Sequence, residues 1–185
     1  MTLQRREIDI GIGDGEKHRC LSFQRWNGVD KMLEIYSVTF FGHRRIERGR
    51  EIEEKAFELI CDILRTHQYV EFLVGRDGDF DLMMASVIRK AKKHIGSENS
   101  SMIWILPYLT ADFQKNENEY YQYYDDIEIC EDSAAAHPKS AFKIRNRSMI
   151  DRADMAVFYM EYKSGGTYDA WKYAVECGKK IINLV

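Results

Sequence analysis

The sequence predicts an α/β protein with a doubly wound, mainly parallel sheet of about five strands and helices on both faces. From Ile35 onward, short apolar runs alternate with longer segments in which apolar residues recur at helical spacing. At three places an apolar run leads directly into a polar loop that contains glycine. The length of 185 residues and the apolar content of 45% suit one domain with a full core.

Each element of this fold is predicted from a local pattern. The apolar runs predict strands at 38–41, 70–74, 102–106, 155–160 and 180–184. Apolar stripes at helical spacing predict helices at 49–67, 80–93, 140–152 and 167–176. The stretch 110–139 is rich in Asn, Glu and Tyr, and we expect an irregular lid or rim there, with a short strand at 127–129.

The first 31 residues differ from the rest of the chain. Residues 17–31 show no sustained period. The glycines at 11, 13 and 15 do not form a dinucleotide-binding fingerprint. The third glycine is not at the spacing that the fingerprint requires, and no amphipathic helix follows. We therefore expect residues 1–31 to be a flexible extension, or a stretch upstream of a true start at Met32, and residues 32–185 to form the single domain.

Charge and cysteine content limit the class of protein. The net charge of -3 and the sequence pI near 6.0 give no general attraction to nucleic acid, so double-stranded DNA is an unlikely partner. The chain has neither a signal peptide nor a long apolar span, which predicts a cytoplasmic protein with no membrane partner. Four cysteines are far apart and lack zinc-type spacing: Cys20, Cys61, Cys130 and Cys177.

The strongest local signal for function is Gly165-Gly166-Thr167, which follows a predicted buried strand. Glycine lets the backbone approach a phosphate without a Cβ clash, and Thr167 can cap the next helix. An ordinary glycine turn is the alternative. Asp169 complements the dipole of that helix, and it reaches a ribose hydroxyl if the ligand lies directly over the turn.

Two further loops are expected at the same edge of the sheet, because the loops after parallel strands share that edge. Gly42, His43 and Arg44 follow the first strand, and His43 and Arg44 can donate hydrogen bonds to a phosphate or sugar. A solvated basic loop is the alternative.

The second loop supplies tight turns, and either Asp79 or Asp81 is expected to cap the next helix. Its relevant residues are Gly75, Asp77, Gly78, Asp79 and Asp81. Its three carboxylates do not have the spacing of an EF-hand, so we predict no metal site and no cofactor.

Arg145 lies on one helix face with Phe142 and Met149. An arginine within an apolar stripe needs a partner, which is either an anion in the cleft or an acidic neighbour, unless the side chain bends out to solvent.

The expected lid contains four tyrosines that are dense enough to stack on a base, and equally suited to cover the edge of the sheet: Tyr120, Tyr121, Tyr123 and Tyr124.

Together these motifs resemble the SLOG superfamily, a Rossmann-like group. It includes the LOG phosphoribohydrolases, the core domain of the DNA-processing protein A and small bacterial proteins of unknown role. The resemblance covers about residues 35–185. The first strand with Gly42-His43-Arg44 is similar to the signature of the small bacterial branch, and the loop 75–81 stands at the second glycine loop. Arg145, Met149 and Asp154 follow the Arg-x-x-x-Met helix and the Asp of the family.

Gly165-Gly166-Thr167 stands in place of the Pro-Gly-Gly-x-Gly-Thr-x-x-Glu loop, but without its Pro, its third glycine or its Glu. The resemblance implies that a hydrolase needs an acid at the ribose and an arginine to position it. Because the Glu is missing, we expect binding of a nucleotide or nucleotide-derived ligand at the carboxyl ends of the strands, in a sensor or accessory protein. Members of the superfamily often form dimers, so the resemblance also implies a homodimer.

Two alternatives remain open. One is a nucleoside 5′-monophosphate phosphoribohydrolase, an N-glycosidase, in which Asp169 replaces the Glu and Arg145 positions the phosphate. The other is a factor that handles single-stranded DNA through arginines on one basic surface. Its candidate arginines are Arg44, Arg45, Arg145 and Arg147.

Overall fold

A seven-stranded sheet forms the centre of the protein. The structure is a computed structural model, and it describes residues 21–26, 29–96 and 98–185, with side chains from residue 34 onward. The strands are β1 (Leu21–Trp26), β2 (Val29–Gly42), β3 (Tyr69–Val74), β4 (Ser100–Leu106), β5 (Asp126–Ile129), β6 (Met155–Tyr159) and β7 (Lys180–Asn183). Six of them are parallel in the order β5-β4-β3-β2-β6-β7, while β1 pairs antiparallel with β2.

The chain reverses its direction of travel across the sheet once. It runs outward from β2 through β3 and β4 to β5, and then crosses back to β6 on the other side of β2. The point between β2 and β6 is therefore the topological switch point, where open α/β sheets bind their ligands beyond the carboxyl ends of the strands.

Helices cover both faces of the sheet. They are α1 (Gly49–Thr66), α2 (Asp79–Ile95), α3 (Ala111–Tyr123), α4 (Glu131–Ala134), α5 (Pro138–Arg152) and α6 (Gly165–Glu176). Alternate strand residues point to opposite faces: Phe40 packs in the core under α1 and α2, whereas Phe41 packs in the core under α5 and α6. Because both faces are buried, the central strands are almost continuously apolar.

The predicted doubly wound fold is confirmed, with six parallel strands instead of about five. The sixth is β5, which extends the short strand expected at 127–129 by one residue. The expectation of an irregular lid over 110–139 was wrong, because α3 and α4 form there. Thr110 caps α3 by accepting a hydrogen bond from the Phe113 amide at 3.1 Å, and Tyr120 packs against Trp104.

Most of the other predicted boundaries differ from the structure by one or two residues. The first helix ends at Thr66, the helix expected at 140–152 begins at Pro138, and the helix expected at 167–176 begins at Gly165. Proline is favoured at the first helical position, which explains the earlier start of α5. Within the described residues, no helix has the length and apolar character needed to cross a bilayer.

The amino-terminal extension is described only in part, since residues 1–20, 27 and 28 lie outside the described residues. Residues 21–26 and 29–34 pair as two antiparallel strands. The parallel pairing of β2 with β3 begins after them, at Ile35. The residues of β2 that pair with β1 are therefore not the residues that pair with β3.

We predict that deletion of residues 1–31 leaves the domain folded. The deletion removes β1 and the first part of β2 but none of the residues paired with β3 or β6, so the Tm should be nearly unchanged in a thermal melt followed by circular dichroism. A fall of more than a few degrees would show that the extension packs on the domain.

Candidate functional site

A cleft of about 380 Å³ opens at the switch point, where β2, β3 and β6 end. Ten of the eleven residues proposed for ligand binding line it: Gly42, His43, Arg44, Gly75, Asp77, Gly78, Arg145, Gly165, Gly166 and Thr167. The eleventh, Asp79, is exposed at the start of α2 and is not among the lining residues. The topology therefore brings the three glycine loops and α5 together around one space.

The loop after β2 is held mainly by contacts inside the protein. A Cβ atom on Gly42 would lie 2.2 Å from Cγ of Phe80, so the absence of a side chain lets α2 pack closely against the end of β2. Gly78 similarly approaches Arg44, whose backbone carbonyl accepts a hydrogen bond from the Asp79 amide at 2.9 Å. The Arg44 side chain itself is exposed at the cleft.

His43 acts as a hydrogen-bond acceptor toward its own chain. Its Nε2 faces the backbone N–H groups of Glu161 and Tyr162 at 3.2 and 3.4 Å, and its ring stacks on Tyr162 with 3.7 Å between centroids. This arrangement requires a neutral ring with its proton on Nδ1. Burial lowers the pKa of His43, which favours the same neutral form. The predicted donation to a ligand is therefore left to Nδ1 alone.

The loop after β3 differs from the prediction at the start of α2. Gly78 occupies the N-cap position, and neither Asp79 nor Asp81 caps the helix with its side chain, because α2 begins at Asp79 itself. Asp81 instead reaches back, and its Oδ2 accepts a hydrogen bond from the Asp77 amide at 2.8 Å. Burial raises the pKa of Asp81 to about 6. The carboxyl of Asp81 lines the cleft, a placement the predicted site did not include.

Arg145 is buried, with 4% of its surface exposed. Its Nη2 forms an ion pair with Oδ2 of Asp77, and its Nη1 donates to the Ile105 carbonyl at 3.3 Å. Of the two partners left open by the sequence, the structure thus has the acidic neighbour. Gly75 makes room for this arrangement, because a Cβ there would lie 2.7 Å from Arg145 Nη1 and 2.7 Å from Asp81 Oδ2.

The loop after β6 places an uncapped helix end at the cleft. The helix α6 begins at Gly165 with Ser164 as its N-cap residue, and no side chain accepts a hydrogen bond there. Thr167, predicted as the cap, lies instead in the first turn. Gly165 has a φ of 76°, which favours glycine, and a Cβ on Gly166 would meet nothing within 4 Å. The first amides of α6 are therefore free of side-chain caps and next to open space.

Asp169 does not contribute to the cleft. Its carboxylate pairs with Lys172 at 3.0 Å, one turn along α6, and it is absent from the residues that line the space. Within the described residues, no group of three or more His, Cys, Asp or Glu side chains is arranged to hold a metal ion. Asp77, one of the three carboxylates of the second loop, is already paired with Arg145.

Two partly exposed aromatic rings line the cleft, and neither belongs to the tyrosine cluster at 120–124. Tyr162 is 56% exposed and Phe142 is 37% exposed, and both belong to the lining. Tyr120 and Tyr124 are buried against Trp104 and cover the sheet. The sequence carries a signal for Tyr162, since it follows the end of β6 by three residues at the edge of the sheet where ligands bind.

The arginines proposed for single-stranded DNA have different environments. Arg145 is buried, and Arg147 lies over the ring of Tyr173 at 4.8 Å. Arg44 and Arg45 are exposed in the loop after β2. Two of the four, Arg44 and Arg145, line the cleft, and of these two Arg44 is exposed.

We predict that protonation of His43 weakens the fold. Because its pKa is below the ordinary value of about 6.5, the unfolded chain binds this proton more readily, and the free energy of unfolding should fall as the pH drops through that value. Asp81 acts in the opposite direction, since its raised pKa makes the native state the better proton acceptor. Denaturant melts between pH 8 and 5 should therefore show a smaller acid-induced loss in His43→Gln than in the wild type. The exposed His94→Gln is the control, and equal pH slopes in all three proteins would refute the role of His43.

Comparisons with known proteins support the fold. No protein-family model and no curated protein matches the sequence. Among solved structures, DNA processing protein A from Streptococcus pneumoniae is similar over 80% of this chain, with a TM-score of 0.53 and 14% identity. The single-stranded-DNA-binding DNA processing protein A from Helicobacter pylori is similar over 79%, with a TM-score of 0.55 and 12% identity.

The chain covers less than two thirds of either protein, 49% of the first and 63% of the second. At these identities the likeness concerns the architecture. The same doubly wound architecture was predicted from the alternation of apolar runs and helical segments along the sequence. The chain therefore has the Rossmann-like architecture of these two structures.

Proposed function

We propose that the cleft binds a nucleotide or a nucleotide-derived ligand, and that the protein is a sensor or accessory factor. The observation that carries this proposal is the start of α6, where Gly165 and Gly166 bring backbone amides without a side-chain cap to an open cleft at the switch point. Such a helix end attracts anions, since its N–H groups and the positive end of the helix dipole point the same way.

A second observation supports an anionic ligand. The buried Nε of Arg145 has no hydrogen-bond partner among the described residues, although Arg145 lines the cleft. A buried donor without a partner is costly, and a ligand oxygen would satisfy it. The cleft thus combines unused backbone and side-chain donors.

The cleft also suits the rest of a nucleotide. Tyr162 and Phe142 present partly exposed rings, and a base gains stability by stacking on such rings. The ring of His43 stacks on Tyr162 and helps to hold it in place. The volume of about 380 Å³ is at the small end of the ~300–1,000 Å³ range of ligand pockets, which favours a ligand the size of a mononucleotide.

Handling of single-stranded DNA is the second candidate function. The Helicobacter protein of similar fold binds single-stranded DNA. Arg44 and Arg45 are exposed beside the cleft, and a ring such as Tyr162 can stack on a base of any sequence. The buried pair of Arg145 and Asp77 reduces the number of arginines free to meet the DNA backbone.

Two further expectations belong to the proposal. The protein works in the cytoplasm, and it forms a homodimer. Gel filtration with light scattering tests the second of these expectations directly.

We predict that Gly166→Val weakens nucleotide binding at least tenfold, or about 1.4 kcal/mol. The new side chain would project into open space at the amides of α6 and obstruct a phosphate. Calorimetry against a panel of ribonucleotides and deoxyribonucleotides measures the effect on a ligand that the wild type binds. Circular dichroism should show an intact fold.

Gly49→Val is the matched control. Gly49 is also in the first turn of a helix, its nearest neighbour to an added Cβ is Ile46 at 3.9 Å, and it does not line the cleft. Its affinity should equal that of the wild type. Equal affinity in Gly166→Val would place the ligand elsewhere, and binding of a single-stranded oligonucleotide without any mononucleotide would favour the second candidate function.

We predict that nucleoside monophosphates stay intact when incubated with the protein. Asp169 pairs with Lys172 away from the cleft, so the acid that the LOG resemblance implies is not at the site. Chromatography after incubation with AMP and GMP should show no free base above a buffer control. Base release that disappears in Asp81→Asn, but not in Asp169→Asn, would instead identify the protein as a hydrolase with Asp81 as its acid.

A further inference from the structure

The ion pair at the cleft joins a fixed cation to an accessible anion. The side chain of Arg145 is 4% exposed, whereas that of Asp77 is 37% exposed. The guanidinium is held from inside the protein, because Nη1 donates to the Ile105 carbonyl and lies 3.7 Å from Sδ of Met149. It cannot turn toward solvent without losing these contacts.

The side chain of Asp77, unlike that of Arg145, is free to move. Its backbone amide is held by Asp81, so the loop stays in place when the side chain moves. Rotation about the Cα–Cβ bond of Asp77 is sufficient to carry its carboxylate from Arg145 into solvent, since the carboxylate already lies at the surface of the cleft. Asp77 is therefore the exchangeable member of the pair.

Arg145 needs an anion at all times, because an uncompensated buried charge is strongly destabilising. Asp77 meets this need incompletely: one carboxylate oxygen bonds Nη2, while the buried Nε has no partner among the described residues. A phosphate group offers more oxygens than a carboxylate and can engage the guanidinium with two parallel bonds.

We propose that Asp77 is a resident substitute for a phosphate group, and that the cleft contains a phosphate subsite at Arg145 that opens when this carboxylate swings away. The subsite is formed by Arg145 of α5, whereas the backbone amides invoked above belong to α6. The inference rests on the proposed function in that both use the same cleft, but it is tested with inorganic phosphate alone. No covalent bond forms or breaks in this exchange.

The test uses Asp77→Asn, with Asp79→Asn as the matched control. Asp79 is on the same loop, exposed and outside the cleft lining. In sodium chloride, Asp77→Asn should lower the Tm by roughly 5–10 °C, because Arg145 loses its ion-pair partner and keeps only the neighbouring Asp81 carboxyl. In sodium phosphate of equal ionic strength, most of this loss should be recovered, whereas the wild type and Asp79→Asn should change little.

The double variant Asp77→Asn/Arg145→Met assigns the effect to Arg145. It carries neither charge, so phosphate should stabilise it no more than it stabilises Asp79→Asn. If Asp77→Asn does not fold in chloride, the refolding yield in the two buffers becomes the measurement, and a higher yield in phosphate supports the subsite. An equal response of Asp77→Asn and Asp79→Asn to phosphate, or an equal failure to refold in both buffers, would overturn it.

The two proposals can fail separately. A specific phosphate response in Asp77→Asn, together with no nucleotide binding by the wild type, would refute the proposed function and leave the subsite intact. Nucleotide binding by the wild type without this phosphate response would refute the subsite and leave the proposed function intact.

Discussion

The pairing of β2 with β6 fixes the position of the loops that form the cleft. At its start, the Ser37 amide donates to the Asp154 carboxylate at 2.9 Å, and the Asp154 amide donates to the Ser37 carbonyl at 2.8 Å. The register then runs to Gly42 opposite Tyr159, where the His43 amide donates to the Tyr159 carbonyl at 3.3 Å. A slip of one residue would move every side chain of a strand to the other face, so these contacts decide which loops meet. The Asp of the sequence motif thus has a structural role at the far end of the strand from the cleft.

The parts of the fold that the sequence predicted best are those with a strong apolar period. In α1, the buried positions Ile52, Ala56 and Ile60 recur every four residues, which is the pattern of a helix with one face on a sheet. No such stripe marks α3, where Asn and Glu are frequent and the buried residues are Phe113 and Tyr120. That helix is stabilised by packing on Trp104, a contact between distant elements that a local pattern does not contain.

The same distinction applies to the cleft. The loops were predictable because the end of each parallel strand lies at the same edge of the sheet. The side-chain partners were not, because Asp77 and Arg145 are 68 positions apart and meet only after β4, β5 and α5 are in place. The role of His43 likewise depends on the amides of Glu161 and Tyr162, which are far along the chain. The sequence motifs therefore predicted which residues line the cleft, but not which of them form ion pairs and hydrogen bonds with one another.

The glycines of the cleft are small for two different reasons, so substitutions at them have different consequences. Gly42 and Gly78 are small because Phe80 and the backbone of Arg44 occupy the space where a side chain would be. A larger residue at position 42 requires a compensating loss of volume at Phe80, so positions 42 and 80 should vary together among homologues. Gly166 has no neighbour that requires it to be small. If the cleft binds the proposed ligand, selection for binding keeps Gly166 small, whereas packing alone keeps Gly42 and Gly78 small.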